Sequence, residues 1–226
     1  MQGKGPLTQA RKLPESRIEQ LSFPERCDVR AIETLRPLLQ RRETRLLGQL
    51  GQLGNEPPLL LFSAGLFVGG WWARRPILQR AAVRMALAHL FSIGFKEWGK
   101  NHVDRSRPDE QLKEGRYRMA WGHSRDPALR SFPSGHTAGA LAVARAFSRD
   151  VPLHGKPALI AAGLIGALQV VRRAHYPGDV VVGAIGGAIC ERIATFLVDR
   201  IDVPPWSDHV RRVALARLGT EPIEAA

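Results

Sequence analysis

Three short clusters of this chain carry residues able to move a phosphate: Lys100–x6–Arg107–Pro108, Pro133-Ser134-Gly135-His136 and His175–x3–Asp179, in that order. Metal-free phosphoryl transfer needs cations to grip the anion, a helix start with free N–H groups, and two histidines, one to attack and one to protonate. Lys100 supplies a point charge and Arg107 a planar fork that can hold two phosphate oxygens. Arg105 adds a third cation, and Asp104 can orient one of them. Pro133 and Ser134 read as a helix start, Gly135 leaves the backbone open to close approach, and His136 is placed to donate a proton to a leaving oxygen. In the third cluster, Asp179 can accept the Nδ1 proton of His175 and so leave Nε2 free to attack phosphorus. Each cluster also has a plainer reading: a basic loop beside lipid head groups, Ser134 as an ordinary N-cap, Asp179 as the cap of a turn.

The elements that must position these residues are helical. Ile32, Leu35, Leu38, Leu39, Leu46, Leu50 and Leu53 recur near a 3.6 period from Asp28 to Leu53, with arginines on much of the remainder and Pro37 as an expected break. Apolar stretches follow at Leu59–Ala73, Pro76–Phe95, Thr137–Phe147, Pro157–Val171 and Asp179–Val198. Trp71 and Trp72 beside Arg74 and Arg75 resemble an interface anchor, and the Gly and Ala residues after Asp179 allow close helix–helix approach. No sustained alternation and no internal repeat occurs. The expected fold class is all-α: a compact helical bundle, polytopic in a membrane, with about four to five short transmembrane helices. A soluble all-α protein with apolar core helices is the competing reading, since the stretches are marginal against the roughly 20 residues a span takes.

The expected organisation is a mobile basic tail over 1–25, a basic amphipathic helical lead-in over 26–55, the bundle over 56–202 and a C-terminal tail over 203–226. The chain has 226 residues, a formal net charge of +12 and a pI near 10.9, which point to a polyanionic neighbour. Cys27 and Cys190 read as two reduced thiols rather than a disulfide or a metal site. No cleavable signal peptide is visible, and no carboxylate or His/Cys cluster has metal-ligand spacing.

Taken together, the clusters resemble the type 2 phosphatidic acid phosphatase superfamily, whose signature is K-x6-RP, then PSGH, then SR-x5-H-x3-D. The resemblance covers about residues 55–200. Two motifs are intact; the third departs, with Gln169 at the position of the family's phosphate-binding arginine and Leu168 at that of its serine. On a continuing helix Arg172 or Arg173 could face the same way, and Arg172 is taken as the substitute. Gln169→Arg is then expected to leave activity equal or higher.

The resemblance implies a metal-independent, cofactor-free hydrolase acting on a lipid phosphate, of polyprenyl or phosphatidate type. Lys100, Arg107, Ser134, Gly135 and Arg172 would hold the phosphate. His175 would form a phosphohistidine, oriented by Asp179, and His136 would protonate the leaving oxygen. The expected setting is a bacterial inner membrane, multi-pass, with no nucleic-acid partner and with homo-oligomerisation left open. Tyr117, Trp121 and His123, in the loop from Asp109 to Ser131, are candidates for head-group contacts. Two rival functions remain: a vanadium haloperoxidase using nearly the same residues, and a basic nucleic-acid-binding protein without catalysis.

Overall fold

A computed structural model describes residues 12–200. Its chain runs through α1 (Glu15–Glu19), α2 (Phe23–Leu39), α3 (Arg42–Gln49), α4 (Glu56–Trp72) and α5 (Pro76–Lys100). After these come β1 (Val103–Arg105), α6 (Pro108–Glu114), β2 (Met119–Trp121), α7 (Gly135–Asp150), α8 (Gly155–Val171) and α9 (Pro177–Arg200). Part of the segment expected as a mobile tail is ordered. Glu15–Glu19 is helical, and α2 opens at Ser22 with a capping box in which Glu25 accepts from the Ser22 backbone N–H at 3.1 Å. Residues 1–11 and the C-terminal tail lie outside the described residues.

The lead-in divides after Pro37, as a proline inside a helix predicts: α2 ends two residues later, and α3 continues into a 3-10 turn at Leu50–Gly54. The five apolar stretches become α4, α5, α7, α8 and α9. Helix α7 is the central one, packed by α5, α8 and α9, and its alanines 138, 140, 142 and 146 are buried. Small side chains there allow close approach. An added Cβ at Gly183 of α9 would stand 2.5 Å from the Ser134 carbonyl, and at Gly187 it would strike that of Ala138. Both glycines thus press α9 onto the start of α7.

Helices α4, α5, α7, α8 and α9 alternate in direction. The end of α5 and the starts of α7 and α9 therefore lie at one pole of the bundle. A short antiparallel ribbon pairs β1 with β2 at that pole, with Asp104 opposite Ala120; it is the one departure from the all-α expectation among the described residues. At the other pole Arg84, nearly fully buried, bonds Asp150 at 2.9 Å and Asp199 at 2.9 Å, tying α5 to α7 and α9.

Two segments, Pro152–Val171 and Pro177–Arg200, are long and apolar enough to cross a membrane. Helix α4, at 17 residues, falls short of the roughly 20 a span takes. α5 carries Arg80, Arg84, His89 and Lys96 along its length. The outer face of α9 leaves Val181, Ile185, Ile189, Ile193 and Phe196 exposed, one row of side chains with no protein over it.

Candidate active site

All three sequence clusters meet at the ribbon pole. Lys100 is the last residue of α5, so the helix runs five residues beyond its expected end near Phe95 and carries the lysine on its own terminus. Arg107 precedes α6 in extended backbone, as Pro108 after it requires, and its Nε donates to the Pro127 carbonyl at 2.9 Å. Ser134 caps α7 from extended backbone but spends its hydroxyl on Thr137, at 2.9 Å, rather than on the helix N–H groups. Its own N–H donates to the Asp179 carbonyl at 3.1 Å, which fixes the start of α7 to α9. Gly135 is needed because the side chain of Lys96 lies where a Cβ would go.

His136 and His175 stand with ring centroids 6.4 Å apart. Both are pushed down from the usual histidine range. For His136 the causes are burial, then Arg172 and Lys100, and the result is about 4. For His175 they are burial, then Lys100, Arg107 and His136, all of which disfavour the charged ring. The cations in question are themselves strained: burial, then Lys96 and Arg107, pushes the Lys100 amine down to about 8, and burial with the charge of Arg107 lowers Arg172. Among the described residues none of Lys100, Arg107 and Arg172 has a carboxylate within ion-pair distance. Arg36, Arg105, Arg130 and Arg173 all do. Three half-buried cations are thus gathered around two histidines with no carboxylate within ion-pair distance among the described residues, a costly arrangement unless an anion binds.

The expected hydrogen bond from His175 Nδ1 to Asp179 is not made. The nearest carboxylate oxygen is 3.9 Å away, and Nδ1 donates instead to the Ser131 backbone carbonyl at 2.6 Å. Asp179 accepts from Ser131 Oγ at 2.6 Å, from the Tyr176 N–H at 2.9 Å and from Arg105 at 2.5 Å. Arg105 is accordingly no third phosphate cation. It is buried between Asp179 and Asp28 of α2, at 2.7 Å, and lies over the Tyr176 ring at 4.4 Å. Asp104 accepts from the Ser124 N–H at 2.8 Å and orients no phosphate ligand. Nothing in the local sequence marks Ser131, which acts through its backbone, or Asp28, which lies 77 residues from its partner.

Gln169, where the family signature has arginine, is fully buried. Its Nε2 donates to the Gly51 carbonyl at 3.0 Å and to that of Ile165 at 3.1 Å, and its Oε1 accepts from Arg172 at 3.3 Å. Gly48 and Gly51 make the room: a Cβ at Gly48 would stand 2.6 Å from Arg172 Cγ, and one at Gly51 2.7 Å from Gln169 Nε2. Arg173, the other candidate substitute, pairs with Asp109 at 3.2 Å and turns away. An arginine at 169 would be longer than the buried glutamine that packs against Gly51, so Gln169→Arg is a direct test of the expectation of equal or higher activity.

Of the proposed head-group contacts, Tyr117 is spent on Arg105, at 3.1 Å, and on Glu25, at 3.2 Å. His123 binds the Asn101 carbonyl at 2.5 Å, and Trp121 is largely exposed. Among the described residues none of the three makes a hydrogen bond or ring contact with His136 or His175. Cys27 is exposed and Cys190 buried, and neither is bonded to the other.

Comparison with known proteins places the chain among phosphatases. A lipid A 1-phosphatase of Rhizobium johnstonii is 36% identical over 91 residues, which cover 39% of this chain and 36% of that protein. The chain therefore matches about a third of that relative's length. The crystal structure of Aquifex aeolicus LpxE has the same fold, with a TM-score of 0.53 at 23% identity over 79% of this chain and 98% of that one. The PAP2 superfamily model matches residues 81–201, more than half of the chain and all three clusters, and the chain belongs to that superfamily.

Proposed function

We propose that this protein is a membrane-bound phosphatase that removes the terminal phosphate of a lipid phosphate through a phosphohistidine. The carrying observation is the group of three unpaired, half-buried cations around His136 and His175. Lys100, Arg107 and Arg172 hold the phosphate oxygens, joined by the N–H groups at the start of α7, at Ser134 and Gly135. With Nδ1–H committed to the Ser131 carbonyl, the lone pair of His175 is on Nε2. Nε2 attacks phosphorus, the bond from phosphorus to the leaving oxygen breaks, and His136 gives that oxygen its proton. Water then attacks the phosphohistidine, His136 takes the water's proton, and inorganic phosphate departs. In the empty site His136 is neutral; the negative charge of bound phosphate favours its protonated form, so the acid is armed only when substrate is present. Asp179 supports the reaction by fixing Ser131 and Arg105 rather than by touching the imidazole.

The membrane setting rests on α8 and α9, which we take to cross a bacterial inner membrane, and on the uncovered apolar row of α9. The lipid A 1-phosphatase relative favours a lipid substrate. Purified protein in detergent should release phosphate from a lipid phosphate in the presence of EDTA, with inhibition by vanadate. His175→Ala should abolish release. Turnover retained in that variant would refute the assigned nucleophile.

A further inference from the structure

Between α3 and α4 the chain spells nearly the same triplet three times: Leu47-Gly48-Gln49, Leu50-Gly51-Gln52 and Leu53-Gly54-Asn55. A 3-10 helix has three residues per turn, so positions three apart lie over one another. The end of α3 and the 3-10 turn at Leu50–Gly54 thereby sort the triplets by face. Gly48, Gly51 and Gly54 are all buried, while Leu47, Leu50 and Leu53 are 57%, 55% and 60% exposed. Leu46, four residues before Leu50, is exposed as well. An amphipathic helix in water turns its leucines inward. This strap does the reverse.

The glycine face is the close-packed one. A Cβ at Gly48 would stand 2.6 Å from Arg172 Cγ and one at Gly51 2.7 Å from Gln169 Nε2. At Gly54 it would stand 2.6 Å from Ile165 Cγ2 and 3.2 Å from the His136 carbonyl oxygen. The strap therefore lies along the last turns of α8, reaches the first turn of α7, and backs the site from Arg172 to His136. Leucines cannot take this face, because even a methyl group crowds it. The two helices that the strap touches are themselves uncovered outward: α4 exposes Leu60, Leu61 and Phe62, and α8 exposes Ile160 and Leu164. Helix α8 also belongs to a segment long and apolar enough to cross a membrane, and the strap lies near its end rather than at its middle.

We propose that this strap is a membrane-docking element, whose leucines enter the hydrocarbon at its boundary with the head groups; this rests on the membrane setting proposed above. A bilayer surface suits the composition of the outer face. Its hydrocarbon takes Leu46, Leu47, Leu50 and Leu53 out of water, and its head-group layer leaves the exposed Gln49 and Gln52 their hydrogen bonds. A second copy of the chain laid over the same face would bury the two amides together with the leucines, at the cost of desolvating them. The docking reaches the site through the opposite face of the same triplets. Held by its leucines, the strap is pressed by its glycines onto Arg172 and onto the backbone of His136. A lipid phosphate in the bilayer thus meets a site whose back wall that bilayer holds in place.

The test labels Leu50→Cys, Leu53→Cys and Ile185→Cys, one at a time, with a nitroxide in the full chain. Cys27, which is exposed, is replaced by serine, and the buried Cys190 is kept. In nanodiscs of phosphatidylglycerol and phosphatidylcholine, spin relaxation by oxygen, which partitions into hydrocarbon, is compared with relaxation by a water-soluble nickel chelate. The label at 185, on the outer row of α9, is the reference for lipid. Labels at 50 and 53 should favour oxygen at least threefold, at a shallower depth than the label at 185. Nickel favoured at 50 and 53 with oxygen favoured at 185 overturns the docking and leaves the membrane setting standing. Nickel favoured at all three overturns both. Labels at 50 and 53 that neither reagent reaches mean that protein covers the face, which overturns the docking in favour of a second copy.

A second measurement reads the link to the site. The double variant Leu50→Ser/Leu53→Ser should raise KM for a lipid phosphate in the same nanodiscs at least fivefold, with kcat within twofold of wild type. Leu50→Met/Leu53→Met, which stays apolar, should keep the wild-type KM. A KM within twofold of wild type in the serine variant overturns the link between strap and site. Wild-type protein that releases no phosphate from any lipid overturns the phosphatase reading, and the labels still decide the docking.

Discussion

The Nδ1 atom of His175 and the carbonyl oxygen of Ser131 are 2.6 Å apart, whereas the carboxylate four residues after the histidine stands off at 3.9 Å. A backbone acceptor therefore sets the tautomer, and Asp179 acts one step back by holding Ser131 Oγ. Ser131→Ala keeps the carbonyl and loses one buried hydrogen bond to a charged group. It should cost about 2 kcal/mol in urea unfolding. Its pH-rate profile should keep the wild-type shape, because the group that fixes His175 remains.

Asp179→Asn removes the charge that faces a buried guanidinium. Arg105 is 3% exposed and would retain Asp28 alone. Breaking a buried ion pair from one side costs about 3–5 kcal/mol. The variant should therefore lose stability and activity together, read as a lowered denaturation midpoint beside the rate. A carboxylate that served only to orient the imidazole would take away rate and leave the midpoint in place.

The three clusters and the helices that bear them were legible because each depends on neighbours in sequence: a proline after Arg107, a helix start at Ser134, a turn before α9. Arg105 was not. It occupies the middle of K-x6-RP and reads as one more phosphate ligand until its partners at positions 28 and 179 are known, and no local pattern carries contacts over 77 and 74 residues. The same holds for Gly48 and Gly51, whose packing against Arg172 and Gln169 brings the lead-in into the site.

The chain departs from its family's signature at Gln169 and Leu168, and Arg172 is the cation we propose in place of the missing arginine. Arg172→Gln should lower kcat/KM for lipid phosphate by roughly 30-fold, the equivalent of about 2 kcal/mol for one charged hydrogen bond, mainly through KM. Gln169→Arg should not restore it. That variant must displace Gly51 and is expected to melt at a lower temperature than wild type, with less activity. An active and stable double variant would show that the guanidinium can return to 169 and that Arg172 is dispensable.

The depressed histidine gives a pH dependence whose sign is fixed. His136 is neutral in the folded protein down to about pH 4, while in the unfolded chain it gains a proton near 6.5. Between those values the unfolded state binds more protons, so the stability this group contributes is complete above pH 6.5 and is lost as pH falls toward 4. Thermal melting of the wild type against His136→Asn, from pH 7.5 to 4.5, should show the wild type losing its melting temperature faster on acidification. Adding vanadate or inorganic phosphate should narrow the difference, because a bound anion favours the charged ring. Parallel melting curves would mean that the ring titrates in the folded protein as it does in the unfolded chain.

Asp28 tests whether α2 belongs to the catalytic unit or merely leans on it. Its two carboxylate oxygens divide between Arg105, at 2.7 Å, and the Gly178 N–H, at 2.8 Å, and Gly178 directly precedes Asp179. One side chain thus holds the guanidinium that Asp179 needs and the backbone turn that presents it. Asp28→Asn can keep the bond to Gly178 through its amide oxygen but gives up a buried charge opposite Arg105. Asp28→Ala loses both. The alanine variant should be the less stable of the two, and its kcat should fall further than its substrate affinity, since Lys100, Arg107 and Arg172 are untouched. Equal loss in the two variants would place the whole effect on the ion pair, and loss in neither would release α2 from any part in positioning His175.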